Sequence, residues 1–175
     1  MTLTTTKQHH DATTFDEFAA SVWGWLYRSA YLLAGNHADA EDLAQQTLLQ
    51  AYRSWGKVRR ADRPQAYLRR MLTNLYISQR RPQARRLEVL TDAPPEPRTA
   101  AGAGPEDRML LWPHVASLAP RQRAVIVLRY YEQLSEAEIA DALGCSTGTV
   151  KSTAHRALAS LRAAVGPDVL DQEES

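Results

Sequence analysis

The sequence is poor in several features that would each suggest a class of protein. Cys145 is the only cysteine, so no intramolecular disulfide can form and a reducing compartment fits. No run approaches the roughly eighteen apolar residues of a membrane-spanning helix. The polar start, Met1 to Thr14, lacks the apolar core of a secretion signal. A cytoplasmic protein is the expectation. Strand-like alternation is almost absent. There is no glycine-rich phosphate loop, and the five His and single Cys show no metal-ligand spacing. Asp39, Glu41 and Asp42 lie near a helix start, where negative charge complements the helix dipole more simply than it forms an acid–base pair. No catalytic residue, metal site or cofactor is therefore expected, and an enzyme is disfavoured.

What is present is helical periodicity and segregated charge. The net charge of +1 over 175 residues conceals two basic stretches. Between Arg59 and Arg86 there are nine Arg and one acid, Asp62. From Ser146 to Val165, Lys151, Arg156 and Arg162 stand without any acid. Two such stretches on a balanced chain suggest two contacts with a polyanion.

A first helix is expected from Phe15 to about Ala34, opened by a Thr14/Glu17 capping box and stopped by Gly35. A second, from about Ala38 to Trp55 and closed by Gly56, carries Leu43, Thr47, Ala51 and Trp55 on one face, joined by Leu48 and Tyr52. After a basic loop, Lys57 to Arg63, a third helix starts at Pro64 and runs to about Arg80, with Pro82 limiting it. The proline- and glycine-rich stretch that follows has the composition of a flexible linker, able to stretch to about 70 Å. The expected organisation is all-α: a disordered start (1–12), a helical domain (13–83), a flexible linker (84–106), a second small helical domain (107–165) and an acidic tail (166–175). In the second domain, helices are expected from Asp107 to Ser117 and from Pro120 to about Glu132.

Ser135 to Leu161 reads as a helix-turn-helix. A second capping box, Ser135/Glu138, opens a short helix; Gly144 breaks it, and Ser146 caps a longer one. Ile139, Ala140, Leu143, Val150, Leu158 and Leu161 supply the apolar seam. Thr147, Thr149, Lys151, Ser152, His155 and Arg156 would meet base edges or phosphates in a major groove, and Arg121 and Arg123 would suit the phosphate backbone. Cys145 in the turn reads as a small apolar filler.

The run Asp39-Ala40-Glu41-Asp42-Leu43-Ala44-Gln45-Gln46 with Leu48 to Trp55 resembles region 2.2 of bacterial sigma factors. Pro64-Gln65-Ala66-Tyr67-Leu68-Arg69-Arg70-Met71-Leu72-Thr73-Asn74-Leu75 resembles their regions 2.3 and 2.4. Ala119-Pro120-Arg121-Gln122-Arg123 with Gly148-Thr149-Val150-Lys151-Ser152 is similar to region 4. The resemblance spans residues 13 to 165 and points to the extracytoplasmic function (ECF) group, close to its actinobacterial sigma-E-like members. It implies an alternative sigma factor that binds core RNA polymerase, recognises −10 and −35 promoter elements and initiates transcription. Asp42, Gln45, Gln46, Leu49 and Arg53 would meet the clamp helices of the beta-prime subunit, and the second domain the beta flap. The loop Lys57 to Arg63 and the next helix would hold the −10 element with one base flipped out, through Lys57, Arg59, Arg60, Arg63, Tyr67, Arg70 and Asn74. Arg69, Arg80 and Arg81 add charge, and Trp55, Tyr67 and Tyr76 are stacking or core groups. The residues named on the helix-turn-helix would dock the −35 element. An anti-sigma factor is a further partner to consider. Tyr67 stands where many members have Trp, Ser78 where many have Asp, and Gln46 where Glu is common, so the −10 sequence stays open. The alternative is a stand-alone regulator of the LuxR type, although no receiver domain with its strands and phosphoacceptor carboxylates is visible.

Overall fold

The computed structural model describes residues 14–90 and 106–165, with side chains described over 14–80 and 112–164. All the regular structure in these residues is helical. The expected linker core, residues 91–105, the start and the acidic tail lie outside the described residues.

Helix α1 (Phe15–Ala34) opens on the capping box: Thr14 Oγ1 accepts from the Glu17 N–H at 3.3 Å, and Glu17 Oε2 accepts from the Thr14 N–H at 2.9 Å. It ends at Gly35, which adopts φ +87° and donates its N–H to the Tyr31 carbonyl. Helix α2 (His37–Arg53), capped by Asn36, buries Ala40, Leu43, Ala44, Thr47 and Ala51, a face of mostly small residues that lets α1 approach closely. The Thr47 hydroxyl is satisfied by the Leu43 carbonyl at 2.7 Å. Two expectations need correcting here. Tyr52 is 61% exposed rather than part of the seam. The helix stops at Ser54, not Gly56, and a one-turn helix α3 (Trp55–Val58) follows, pinned by the fully buried Val58. Ser54 leaves the helix at φ −114°, ψ +23°, with its hydroxyl donating back to the Gln50 carbonyl. Lys57 therefore belongs to α3, and the loop proper is shorter than expected.

Helix α4 (Pro64–Leu90) runs well past Pro82. An interior proline removes the donor to the Ser78 carbonyl and crowds it, yet the helix continues through Gln83-Ala84-Arg85-Arg86-Leu87-Glu88, all strong helix formers. Helices α5 (Glu106–Ser117) and α6 (Pro120–Ile126) follow; α6 continues as a π turn, Val127–Tyr131, instead of regular helix to Glu132. Helix α7 (Glu136–Leu143) opens on its expected capping box and ends at Gly144, φ +60°. Ser146 Oγ accepts from the Thr149 N–H at 3.1 Å and so caps α8 (Thr147–Val165).

The two helical units occur in the order read from the sequence. Leu26, Leu33, Leu43, Leu68 and Leu72 centre the core of α1, α2 and α4. Val115, Leu118, Ile126, Ala157 and Leu161 form a smaller cluster between α5, α6 and α8. The remaining buried residues of the second unit, among them Val125, Leu128, Ile139 and Leu143, are continuous with the first core. The units thus pack on one another, α7 and α6 against α4.

Candidate nucleic-acid interface

The helix-turn-helix seam is apolar as expected: Ile139, Ala140, Leu143, Val150 and Leu161 are buried, and Leu158 is half-buried. Burying these fixes which face of α8 turns outward. Thr147, Lys151, Ser152, His155 and Arg156 are exposed on it. Thr149 is half-buried, its hydroxyl shared with Ser146 at 2.9 Å. Lys151 is lightly tethered to Glu136 at 3.5 Å, a pair exposed enough to release it to a phosphate. Half-buried Cys145 packs against the core as a small filler.

Arg121 is exposed, but Arg123 overturns its expected place on the phosphate backbone. It is only 4% exposed, and its Nε donates to the Leu32 carbonyl of α1 at 3.0 Å, its Nη1 to the Ala116 carbonyl at 3.3 Å. Its guanidinium also lies over the Trp112 ring. Burial works to lower its pKa, opposed by the neighbouring Tyr76. Tyr76 is itself buried, which pushes its phenol upward against the pull of Arg123 and Arg80. Basic character identified Arg123 in the sequence, but nothing local to it announced an acceptor 91 residues away.

Arg63, just before α4, and Tyr67, Arg70 and Asn74 on it recur at helical spacing and share a face. Arg63, Arg70 and Asn74 are exposed and Tyr67 is half-buried; exposed Lys57, Arg59 and Arg60 extend the basic surface through α3 and the loop. Of the three aromatic candidates, Tyr76 belongs to the core, and half-buried Trp55 packs against Phe15 and Phe18 with ring centroids 5.4 and 5.0 Å away. Tyr67 alone stands among the exposed basic residues of that face. Arg69 and Arg80 turn elsewhere. Arg69 pairs with Glu132 at 2.9 Å, and Arg80 with Asp39 at 3.0 Å. The side chain of Arg81 lies outside those described.

The third surface is the outer face of α2. Asp42, Gln45, Gln46, Leu49 and Arg53 are all exposed there, and Tyr52, which the sequence assigned to the core, joins them. Leu49 and Tyr52 form an apolar spot, 49% and 61% exposed, within a polar face. Gln46 is held by a hydrogen bond from Gln79 of α4 at 2.7 Å, at the rim of an open cleft between the two helices. Among the described residues no group of His, Cys, Asp and Glu could hold a metal ion, and no helix is long and apolar enough to cross a membrane.

These three surfaces coincide with two family matches. Sigma-70 region 2 matches residues 15–86, and Sigma-70, region 4 matches residues 115–161. The chain belongs to the sigma-70 family. It is 45% identical over 150 residues to an RNA polymerase sigma-E factor of Streptomyces coelicolor, covering 85% of this chain and 84% of that one. It is 36% identical over 155 residues to the ECF RNA polymerase sigma factor SigL of Mycobacterium tuberculosis, covering 85% and 84%. Among solved structures, the sigma factor RpoE of Bartonella quintana, in complex with the anti-sigma factor NepR, superposes with a TM-score of 0.65 at 25% identity, over 91% of this chain and 98% of that one. The protein is an alternative sigma factor of the ECF, sigma-E-like type, acting in transcription initiation. The LuxR alternative is not favoured, because region 2 occupies the half of the chain where such a regulator would carry its receiver domain.

Proposed function

We propose that the three exposed surfaces divide the work of a sigma factor as follows. The α2 face, Asp42, Gln45, Gln46, Leu49 and Arg53, docks on the beta-prime clamp helices of core polymerase, with the Leu49–Tyr52 spot as its apolar anchor. The basic face of α3, the loop and α4 receives the −10 element: Lys57, Arg59, Arg60, Arg63 and Arg70 neutralise phosphates, Tyr67 stacks an unstacked base, and Asn74 hydrogen-bonds one. Helix α8 enters the major groove at the −35 element through Thr147, Thr149, Lys151, Ser152, His155 and Arg156, with Arg121 on the backbone and the beta flap as a second polymerase contact. The protein works in the cytoplasm, contributes binding rather than catalysis, and takes an anti-sigma factor as a regulatory partner. The observation that carries this reading is the Leu49–Tyr52 spot on a polar helix, one helix away from an exposed basic surface at which half-buried Tyr67 lies.

The test is run-off transcription with core polymerase from a GC-rich bacterium. A promoter-specific transcript is expected only when the protein is added. Leu49→Ala combined with Tyr52→Ala should abolish co-purification with core, and Tyr67→Ala should leave co-purification intact while reducing open complex. Absence of both transcript and co-purification for the unaltered protein overturns the reading.

A further inference from the structure

The outward face of α8 carries no acid of its own, yet negative charge reaches it from the neighbouring helix. Glu136 is the first residue of α7. Its Oε2 lies 3.5 Å from Lys151 Nζ, and its Oε1 lies 3.4 Å from Arg129 Nη1. One carboxylate thus joins two cations from different elements, Lys151 on α8 and Arg129 on the π turn. Arg129 is kept at the surface from its other side, where its guanidinium lies over the half-exposed Tyr130 ring. Lys151 is 66% exposed and Glu136 33%, so both pairs are wet and individually weak. The fold does not depend on them, because buried Ile139, Ala140, Leu143, Val150 and Ala154 set how α7 and α8 pack. The acid two residues on, Glu138, turns instead to its Ser135 cap and to Arg63. In a helix-turn-helix the first helix crosses the DNA backbone while the second enters the groove. The start of that first helix, at the positive end of its dipole, ordinarily suits a phosphate. In this chain a carboxylate stands there.

We propose that Glu136 is a charge brake on duplex binding, neutralising Lys151 and Arg129 in the free protein and releasing them only when phosphates take its place. The proposal rests on the reading of α8 given above. Each cation exchanges a carboxylate for a phosphate, and the carboxylate left behind faces the polyanion and takes back a cation from solution. The exchange weakens binding, and the recaptured cation lowers the net release of counterions. Phosphates carry no sequence, so the brake acts on every duplex alike. A reader weakened on all sequences engages DNA firmly only together with a second reader, where linkage supplies the missing affinity. Glu136 is therefore a positioning residue for Lys151 and Arg129, and its influence on DNA runs through them.

The test uses the full-length chain and a pool of random-sequence duplex, so no promoter sequence is needed. Affinity is read by fluorescence anisotropy between about 50 and 200 mM salt. Glu136→Gln should bind roughly five-fold tighter at the lower salt, and its slope of log affinity against log salt should grow in magnitude by about 1. Glu136→Asp keeps the charge and should bind within about two-fold of the unaltered protein. In a Lys151→Gln background, Glu136→Gln should gain less than half as much in log affinity, because one of the two braked cations is gone. Helicity by circular dichroism should be the same throughout. Unchanged or weaker binding by Glu136→Gln overturns the proposal. So does a gain in affinity with no change in slope, or a gain of equal size with and without Lys151. If neither the unaltered protein nor Glu136→Gln binds duplex at the lower salt, α8 is not a DNA reader and the brake falls with that reading.

Discussion

Two demands meet at Gly35. Its φ of +87° ends α1, and a Cβ there would lie 2.9 Å from Arg123 Nη2. Gly144 has a similar positive φ, +60°, but a Cβ there would meet nothing within 4 Å. The pair separates conformation from contact. Gly144→Ala should lose about 1–2 kcal/mol, the cost of a left-handed alanine. Gly35→Ala should lose clearly more, because the Arg123 guanidinium must move and Nη2 is already buried without an acceptor among the described residues. Urea denaturation of both variants measures the difference; equal losses would show that Arg123 adapts freely. On α8, Lys151→Ala should weaken −35 duplex binding uniformly across sequences. The slope of log affinity against log salt should fall in magnitude by about 1. A variant that changes sequence preference with no change in slope would make Lys151 a base reader instead.

At the scale of the element, the capping boxes show how a short motif becomes a pH response. Glu138 accepts from the Ser135 hydroxyl at 2.7 Å and from the Ser135 N–H at 3.0 Å, and these bonds hold its carboxyl below the ordinary range. A carboxylate with a lowered folded pKa contributes stability that is fully present above its unfolded value, near 4.3, and is lost as pH falls through the folded value. Ser135→Ala should cost about 1 kcal/mol at neutral pH. Glu138→Gln should flatten the acid limb of the stability profile, and an unchanged limb would remove Glu138 from it. Both boxes were legible in the sequence because caps are local: residues three apart, one hydroxyl, one carboxylate. The helix-turn-helix seam was legible for the same reason, and so was the outer face of α2 apart from Tyr52, which was read into the core. Three features were not. Helix α2 breaks at Ser54, where burial of Val58 by the following turn rather than local composition sets the boundary. Helix α4 crosses Pro82, which composition reads as a stop. The π turn after Ile126 answers to packing and leaves no periodic trace.

At the scale of the whole molecule, the shared core predicts how the protein unfolds. Apolar residues from α6, α7 and α8 are continuous with those of α1, α2 and α4, and the Arg69–Glu132 pair joins both units. Calorimetry should show a single transition with equal calorimetric and van't Hoff enthalpies. Glu132→Gln should separate it into two, and two transitions in the unaltered protein would show that the units are thermally independent. This association was the part of the fold hidden from sequence reading. Arg69 and Glu132 are 63 positions apart, and each resembles an ordinary surface charge until the other is found. Charge density marked the basic stretches, but it cannot distinguish an arginine facing solvent from one facing a buried carboxylate.

The π turn at Val127–Tyr131 also sets how this chain can tolerate insertions and deletions. Each residue of an α-helix turns the chain by about 100°. Relaxing the turn to regular helix at constant length would swing Glu132 about a quarter-circle away from Arg69, whereas loss of a single codon between Val127 and Tyr131 would absorb the extra residue of the turn and leave Glu132 close to its present facing. A one-residue deletion is therefore tolerated here, where the same deletion inside α1 or α2 would rotate every later residue off its face.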